Sequence, residues 1–162
     1  MPTQENITVR DVTSNCSDIN FLYQILKERS IREPLFRLPS YIEHCNYIES
    51  KPYLSFKLLS YKDLLLGCAF LSKKFEIGAY LTKFDNIKNN IKPIKGIDLS
   101  STMMYACVED NNFPSFVAFS LHENYRGNRC ILKLSKFRDM EEKYCIQSKK
   151  DSKYNVYQFK KN

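Results

Sequence analysis

Hydrophobic and polar positions come in distinct blocks along this chain, and the block from Tyr53 to Lys83 organises the rest. Leu54–Leu59 alternates and then meets a polar turn at Ser60-Tyr61-Lys62-Asp63. Leu64–Leu71 is apolar enough to be buried on both faces, and Phe75–Leu81 carries Glu76-Ile77-Gly78 at its centre. Apolar runs of this length, bounded by Lys, Asp and Ser, predict three consecutive strands with tight connections. Glycine inside a strand pattern marks a bulge, or a close approach by another backbone or a ligand. Glu76, beside Gly78, is therefore the first place to look for chemistry.

Upstream, Ile7–Val12 alternates and predicts a first strand. Ser17 and Asp18 offer an N-cap, and Ile19, Leu22, Tyr23 and Leu26 share one helical face, so a helix runs to about Arg29. Pro34 and Pro39 break the chain beyond it. Ser40-Tyr41-Ile42-Glu43 is a capping box, which starts a second helix over Tyr41–Ser50 that Pro52 stops. Downstream, Phe84–Ser101 holds Asn86, Asn89, Asn90, Pro93 and Gly96, which work against one long helix. Met103–Val108 reads as a buried strand, and Ser115–Glu123 as a helix packing Phe116, Phe119 and Leu121 inward. Tyr125-Arg126-Gly127-Asn128 is turn chemistry. Cys130–Leu134 and Tyr154–Phe159 are the last strands, separated by a charged, exposed segment from Arg138 to Lys153. This order predicts an α/β (α+β) domain with a mixed sheet.

Composition narrows the class. At 162 residues the chain fits a single domain, and 43% hydrophobic content argues for a folded one. No apolar run approaches the ~18–20 residues that span a bilayer. Met1–Thr13 is mixed and polar, with no visible signal peptide, so the expected location is cytoplasmic. The six cysteines include no Cys-x-x-Cys pair, and His44 and His122 complete no zinc pattern, so reduced core thiols are expected. The net charge of +7 is spread from Lys27 to Lys161. Such a surface serves nucleic acid, an acidic partner or a phosphate-rich cofactor, or is simply lysine-rich and solvated. His44, on a helix with Ile42, Cys45 and Ile48, reads as structural or catalytic. Phe36, Tyr41 and Tyr53 line an acceptor pocket or belong to the core.

The order of elements and several local words together resemble the GNAT superfamily of acetyl-CoA-dependent N-acyltransferases, nearest to its bacterial small-molecule and amino-sugar members. The words are Ile7-Thr8-Val9-Arg10 opening into Asp18–Arg29, then Leu38-Pro39-Ser40-Tyr41-Ile42-Glu43-His44. Next come Gly67–Ser72 with Glu76-Ile77-Gly78, and last Val108-Glu109-Asp110-Asn111-Asn112-Phe113-Pro114-Ser115. The last resembles the family's strand-five ending with its Asn-x-x-Ser helix start, and the match covers Ile7 to Phe137.

The resemblance implies a mostly antiparallel sheet splayed between its fourth and fifth strands, with acyl-CoA in the gap. On that mapping Ile77, Gly78, Ala79, Tyr80 and Leu81 pair with pantetheine, and Asn112 and Ser115 flank the thioester end. Glu76 is the base that takes a proton from the attacking amine, best with its pKa raised by burial. Two positions depart from the family. Its phosphate loop has the form Gln/Arg-x-x-Gly-x-Gly/Ala, whereas Phe84–Lys92 contains no glycine. Asn86, Asn89 and Asn90 tolerate left-handed backbone, and Lys88, Lys92 and Lys95 hold phosphate by charge instead. The family's acidic tyrosine falls on Phe119, leaving Tyr125 as the nearest replacement. The implied function is acetyl transfer from acetyl-CoA to a primary amine of a small molecule, an amino sugar or similar. A GNAT-fold binding or assembly module without the cofactor is the alternative. A third reading is an RNA-associated module, resting on the lysine-rich stretch Lys149–Lys161 with Tyr154, Tyr157 and Phe159 interleaved.

Overall fold

The computed structural model describes residues 6–82, 96–109, 113–137 and 140–162. The chain begins with β1 (Ile7–Asp11), α1 (Cys16–Arg32) and α2 (Tyr41–Glu49), then three strands, β2 (Tyr53–Tyr61), β3 (Leu64–Ser72) and β4 (Glu76–Leu81). It continues through α3 (Gly96–Val108), β5 (Ser115–Leu121), α4 (Tyr125–Ser135), α5 (Met140–Lys143), β6 (Tyr144–Lys150) and β7 (Tyr154–Lys161). The seven strands form one sheet in the order β1-β2-β3-β4-β5-β7-β6. Every neighbouring pair is antiparallel except β4 and β5, which run parallel.

Local chemistry sets the first half. The N-cap of α1 is Asn15, two residues before the expected Ser17, and its side chain accepts from the Asp18 amide at 2.8 Å. Asp18 is instead fully buried, gripped by both Arg10 guanidinium nitrogens at 2.7 and 2.8 Å and by the amide and hydroxyl of Thr13. Burial opposes its ionisation, but the bonds from Arg10 and Thr13 prevail and hold the carboxyl below its ordinary range. The pair ties β1 to the first turn of α1. The capping box at the head of α2 forms as expected: Ser40 Oγ accepts from the Glu43 amide, and Glu43 Oε2 from the Ser40 amide.

Two apolar clusters sandwich the sheet. On one face α3 and α4 bury Leu99, Met103, Cys107, Ile131 and Leu134 against Leu59, Leu71, Ile77, Phe116 and Phe159. On the other, α1 and α2 bury Ile19, Leu22, Ile25 and Ile48 against Leu58 and Cys68. None of the six cysteines forms a disulfide, and Cys68, Cys107 and Cys130 are buried.

The second half departs from the sequence expectations in four places. Met103–Val108 is the last part of α3, not a strand; all six residues are buried, and an all-round apolar run has no period to separate strand from buried helix. Ser115–Glu123 is not a helix: Phe116, Ala118 and Ser120 face the core while Phe119 and Leu121 are exposed, the period of two that makes β5. Cys130–Leu134 is not a strand but part of α4, with Cys130, Ile131 and Leu134 buried at helical spacing. The segment Arg138–Lys153, expected as an exposed connection, contains α5 and β6, and β6 pairs with β7 along its whole length.

Candidate functional site

The parallel junction of β4 with β5 is where the sheet opens. A tight turn precedes it: Ser72 Oγ accepts from the amides of Lys74 and Glu76, and Phe75 takes a left-handed φ of 61°. The Phe75 carbonyl then accepts from the Val117 amide at 2.8 Å. Two register pairs come next, Glu76 with Val117 and Ile77 with Ala118, after which the strands part. On the other edge of β4 the Thr82 amide donates to the Leu66 carbonyl of β3 at 2.8 Å. Backbone direction alternates along a strand. Ala79 and Leu81 therefore turn their N–H and C=O groups into the fork between β4 and β5.

Glu76 stands at the closed end of the fork, exposed, on the sheet face that α1 and α2 cover. Gly78 is next on the same face, and the register of β4 with β3 passes through it without a shift. There is no bulge there. What approaches Gly78 is the ring of Phe70, 2.6 Å from where a Cβ would lie. Tyr80 continues along the same face, its ring stacked at 6.1 Å from Phe70.

On the β5 side of the fork, Asn124 caps α4, its Oδ1 accepting from the Gly127 amide at 2.9 Å. Gly127 is required there, because a Cβ would lie 2.6 Å from both Ser120 Oγ and Asn124 Nδ2. Ser120 Oγ is buried with no partner among the described residues. Asn128 Oδ1 accepts from Tyr157 Oη at 2.7 Å and from Asn155 Nδ2 at 2.8 Å, locking this corner to β7. The strand-five ending is thus Asn124-Tyr125-Arg126-Gly127, one element later than the Asn112–Ser115 word. Ser115 opens β5, at the opposite end of the strand. Counted from Gly127 with the same offset, the position of the family's tyrosine is Ile131, which is buried and has no proton to give. Tyr125, on the first turn of α4, is 81% exposed. Lys88, Asn89, Asn90, Lys92 and Asn112, expected to contribute to the site, lie outside the described residues.

Two buried polar groups lie on the α1–α2 side, Glu28, which sequence reasoning missed, and His44, which it singled out. Glu28 is only 6% exposed and accepts from Thr82 Oγ1 at 2.9 Å, next to the end of β4. Its signal was available: Ile19, Leu22, Ile25 and Glu28 recur every third residue, so a carboxylate sits on the apolar stripe. His44 is 2% exposed, its Nε2 bonded to the Ile19 carbonyl at 2.9 Å and its Nδ1 without a partner. Burial lowers its pKa, only partly offset by that bond, and keeps the ring neutral. His44 borders a cavity of about 90 Å³ between the two helices and β2–β4, also lined by Tyr53, Phe56, Phe70 and Tyr80. Tyr53 reaches this face because a register shift between Tyr53 and Ser55 turns it over, stacking its ring 4.8 Å from Phe70. Burial pushes the Tyr53 hydroxyl far up from its ordinary pKa. The lysine-rich stretch offers no aromatic platform of the expected kind, since Tyr157 and Phe159 are buried in the core. Among the described residues no helix is long and apolar enough to cross a membrane.

No family model matches this chain, and no curated protein matches its sequence. Solved structures match over nearly its whole length. The ribosomal L7/L12 alpha-N-protein acetyltransferase RimL, in complex with coenzyme A, is 13% identical at a TM-score of 0.65, covering 97% of this chain and 95% of that one. PseH, an N-acetyltransferase of Campylobacter jejuni, is 15% identical at 0.57, covering 97% and 99%. YncA of Salmonella typhimurium, a putative acetyltransferase solved with acetyl-CoA, is 10% identical at 0.65, covering 95% and 92%. The chain has the fold of these acetyltransferases, the GNAT fold, with the single parallel pair of strands at its centre.

Proposed function

We propose that this chain, built on the GNAT fold, is an N-acyltransferase that moves an acetyl group from acetyl-CoA to a primary amine of a small molecule. The observation that carries the reading is the fork. Two rungs of parallel pairing leave the backbone of Ala79 and Leu81 facing an open gap. A pantetheine arm, with its own amides, fits such an edge as an added strand would. The orphaned Ser120 Oγ on the β5 flank is a further polar contact for the cofactor. α3 begins at Gly96 beyond β4, and the free amides of a helix start suit a pyrophosphate. Bound there, acetyl-CoA supplies an acetyl group already activated as a thioester.

The residues of the chain do the rest. Glu76, at the closed end of the fork, accepts the proton of the amine, directly or through water. Tyr125, exposed at the head of α4, donates a proton to the departing thiolate of coenzyme A. Lys88 and Lys92, in a stretch without glycine, hold the phosphates by side-chain charge, with Asn89 and Asn90 beside them. Exposed ion pairs of this kind each contribute about 0–1 kcal/mol and are screened by salt.

Calorimetric titration with acetyl-CoA at low and at physiological salt tests this, with thiol release on adding amines as the activity readout. The expected result is weak binding that weakens further at the higher salt and on converting Lys88 and Lys92 together to alanine. Tight, salt-insensitive binding would assign the phosphates to backbone amides instead. A second reading, a binding or assembly module on the same fold, is favoured by Ile131 at the tyrosine position and by the missing glycines. Absence of binding at either salt would select it.

A further inference from the structure

The seam between α1 and α2 holds reactive groups that acetyl transfer does not use. Cys16, Ile19, Asn20 and Tyr23 share one stripe of α1, at the spacing i, i+3, i+4, i+7. Tyr41, His44, Cys45 and Ile48 share one stripe of α2 at the same spacing. Contacts between the stripes fix their register. The Tyr23 hydroxyl donates to the Pro39 carbonyl at 2.9 Å, and the Tyr23 ring lies 5.4 Å from that of Tyr41. The Tyr41 hydroxyl donates to Asn20 Oδ1, and His44 Nε2 bonds the Ile19 carbonyl at 2.9 Å. Partners therefore step forward from Pro39 to His44 as they step back from Tyr23 to Ile19. The two helices are antiparallel.

One turn further along this seam come two thiols. Cys16 is four residues before Asn20 and Cys45 four after Tyr41, about 6 Å along each helix axis in the same direction. The Tyr41 hydroxyl is within electrostatic reach of both sulfurs: burial raises its pKa first, and Cys45 and then Cys16 raise it further. Cys16 is exposed, whereas Cys45 is half-buried and packs against the apolar cluster beneath the two helices. An accessible thiol beside a sheltered one is the arrangement of a sulfur that is oxidised first and a sulfur that resolves it. The other four cysteines are placed differently. Cys68, Cys107 and Cys130 are buried, and Cys145 is exposed on β6 opposite Lys160.

We propose that Cys16 and Cys45 are a peroxide-sensitive dithiol that closes to a disulfide and staples α1 to α2. The Cys16 sulfur attacks the O–O bond of hydrogen peroxide, keeps one oxygen as a sulfenic acid and releases the other as water. The Cys45 sulfur then displaces that hydroxyl as a second water, and the S–S bond forms as Cys45 gives up its proton. Two electrons pass from the thiols to the peroxide, and a thiol reductant returns them. The bond closes a loop of about 30 residues, which restricts the unfolded chain. It also fixes the two helices that roof β2 and β3.

One equivalent of hydrogen peroxide, then alkylation and peptide mapping without reductant, tests the pair. The expected product is a Cys16–Cys45 cross-link within one chain, with Cys145 still open to alkylation. Tm should rise by roughly 5–10 °C on oxidation and fall back with dithiothreitol. Cys45→Ser should abolish that rise and leave Cys16 as a sulfenic acid that dimedone traps. Cys145→Ser should change neither the cross-link nor the rise. Recovery of Cys16 and Cys45 as free thiols from the unaltered protein would overturn the pair, whether or not the variants fold. A cross-link between chains, or one that includes Cys145, would overturn it as well. A Cys16–Cys45 bond without a rise in Tm would keep the dithiol and overturn the staple.

Discussion

Aromatic side chains stand on both flanks of the fork, on the same face of the sheet, and meet opposite fates. On the β4 flank Tyr53, Phe56, Phe70 and Tyr80 interlock beneath α1 and α2. On the β5 flank Phe119 and Tyr154 touch edge-on at 6.4 Å and stay exposed, with Leu121 beside them. Two helices suffice to roof β2, β3 and β4, and the opposite face of β5 and β7 is packed by α3 and α4. One flank therefore stores stability and the other offers surface.

Four experiments break or sharpen this contrast. The largest effect is expected at Glu76, on the first of the two rungs shared by both flanks. Glu76→Gln should cut turnover by roughly 10²–10⁴-fold, with unfolding by urea unchanged. Near-full activity with an unaltered pH–rate profile would remove Glu76 from the chemistry. Next comes a paired truncation. Leu58→Ala, fully buried under α1 and α2, should cost about 2–5 kcal/mol, while Phe119→Ser on the open flank should stay within about 0.5 kcal/mol. Chemical denaturation of both variants reads the ratio, and equal losses would mean the β5 flank is covered after all. Gly78→Ala is smaller, about 1–3 kcal/mol, because the new Cβ must displace the Phe70 ring. A neutral result would show that the ring swings freely.

The mildest test is one of pH. The folded pKa of His44 lies below its ordinary value, so the folded state binds fewer protons than the unfolded one as the histidine titrates. The stability this confers is complete above about pH 6.5 and is lost as pH falls through the lowered folded value. Tm followed from roughly pH 8 to pH 5 should decline on the acid side, and His44→Leu should flatten the decline. Asp18, held below its ordinary range by Arg10 and Thr13, contributes its own loss only at lower pH.

The β4 flank was legible in the sequence and the β5 flank was not, for a reason that lies in the residues. Leu54–Leu59 and Phe75–Leu81 alternate between polar turns, and Ser40 with Glu43 announces a helix through a bond that forms locally. Met103–Val108 has no polar side to fix a period, so strand and buried helix read alike. Ser115–Leu121 hides its alternation because Val117, Phe119 and Leu121 are apolar on the solvent side as well as Phe116 and Ala118 on the core side. That exposed apolar face is what misdirected the reading by one element, carrying the strand-five word from Asn124 back to Asn112. Glu76 and Gly78 sit in the legible half. The ring over Gly78 was not legible, since it depends on the pairing of Phe70 with Gly78 across strands.

The two-rung junction has a consequence for how the molecule assembles and breathes. β1–β4 form one antiparallel unit from a continuous stretch of chain, and β5–β7 form another. Within each unit most strand partners are near in sequence; along the sheet the two meet only at the pairing of Glu76 and Ile77 with Val117 and Ala118, and beneath it α3 and α4 pack against both. Low contact order inside each unit favours rapid local assembly, with the junction closing last. Cooperative blocks of this kind open separately. Native-state hydrogen exchange should therefore resolve two protected blocks, with the amides of Ile77 and Val117 exchanging through a lower-energy opening than those of Leu58 or Phe159. A ligand strand laid along Ala79 and Leu81 would fuse the two blocks into one.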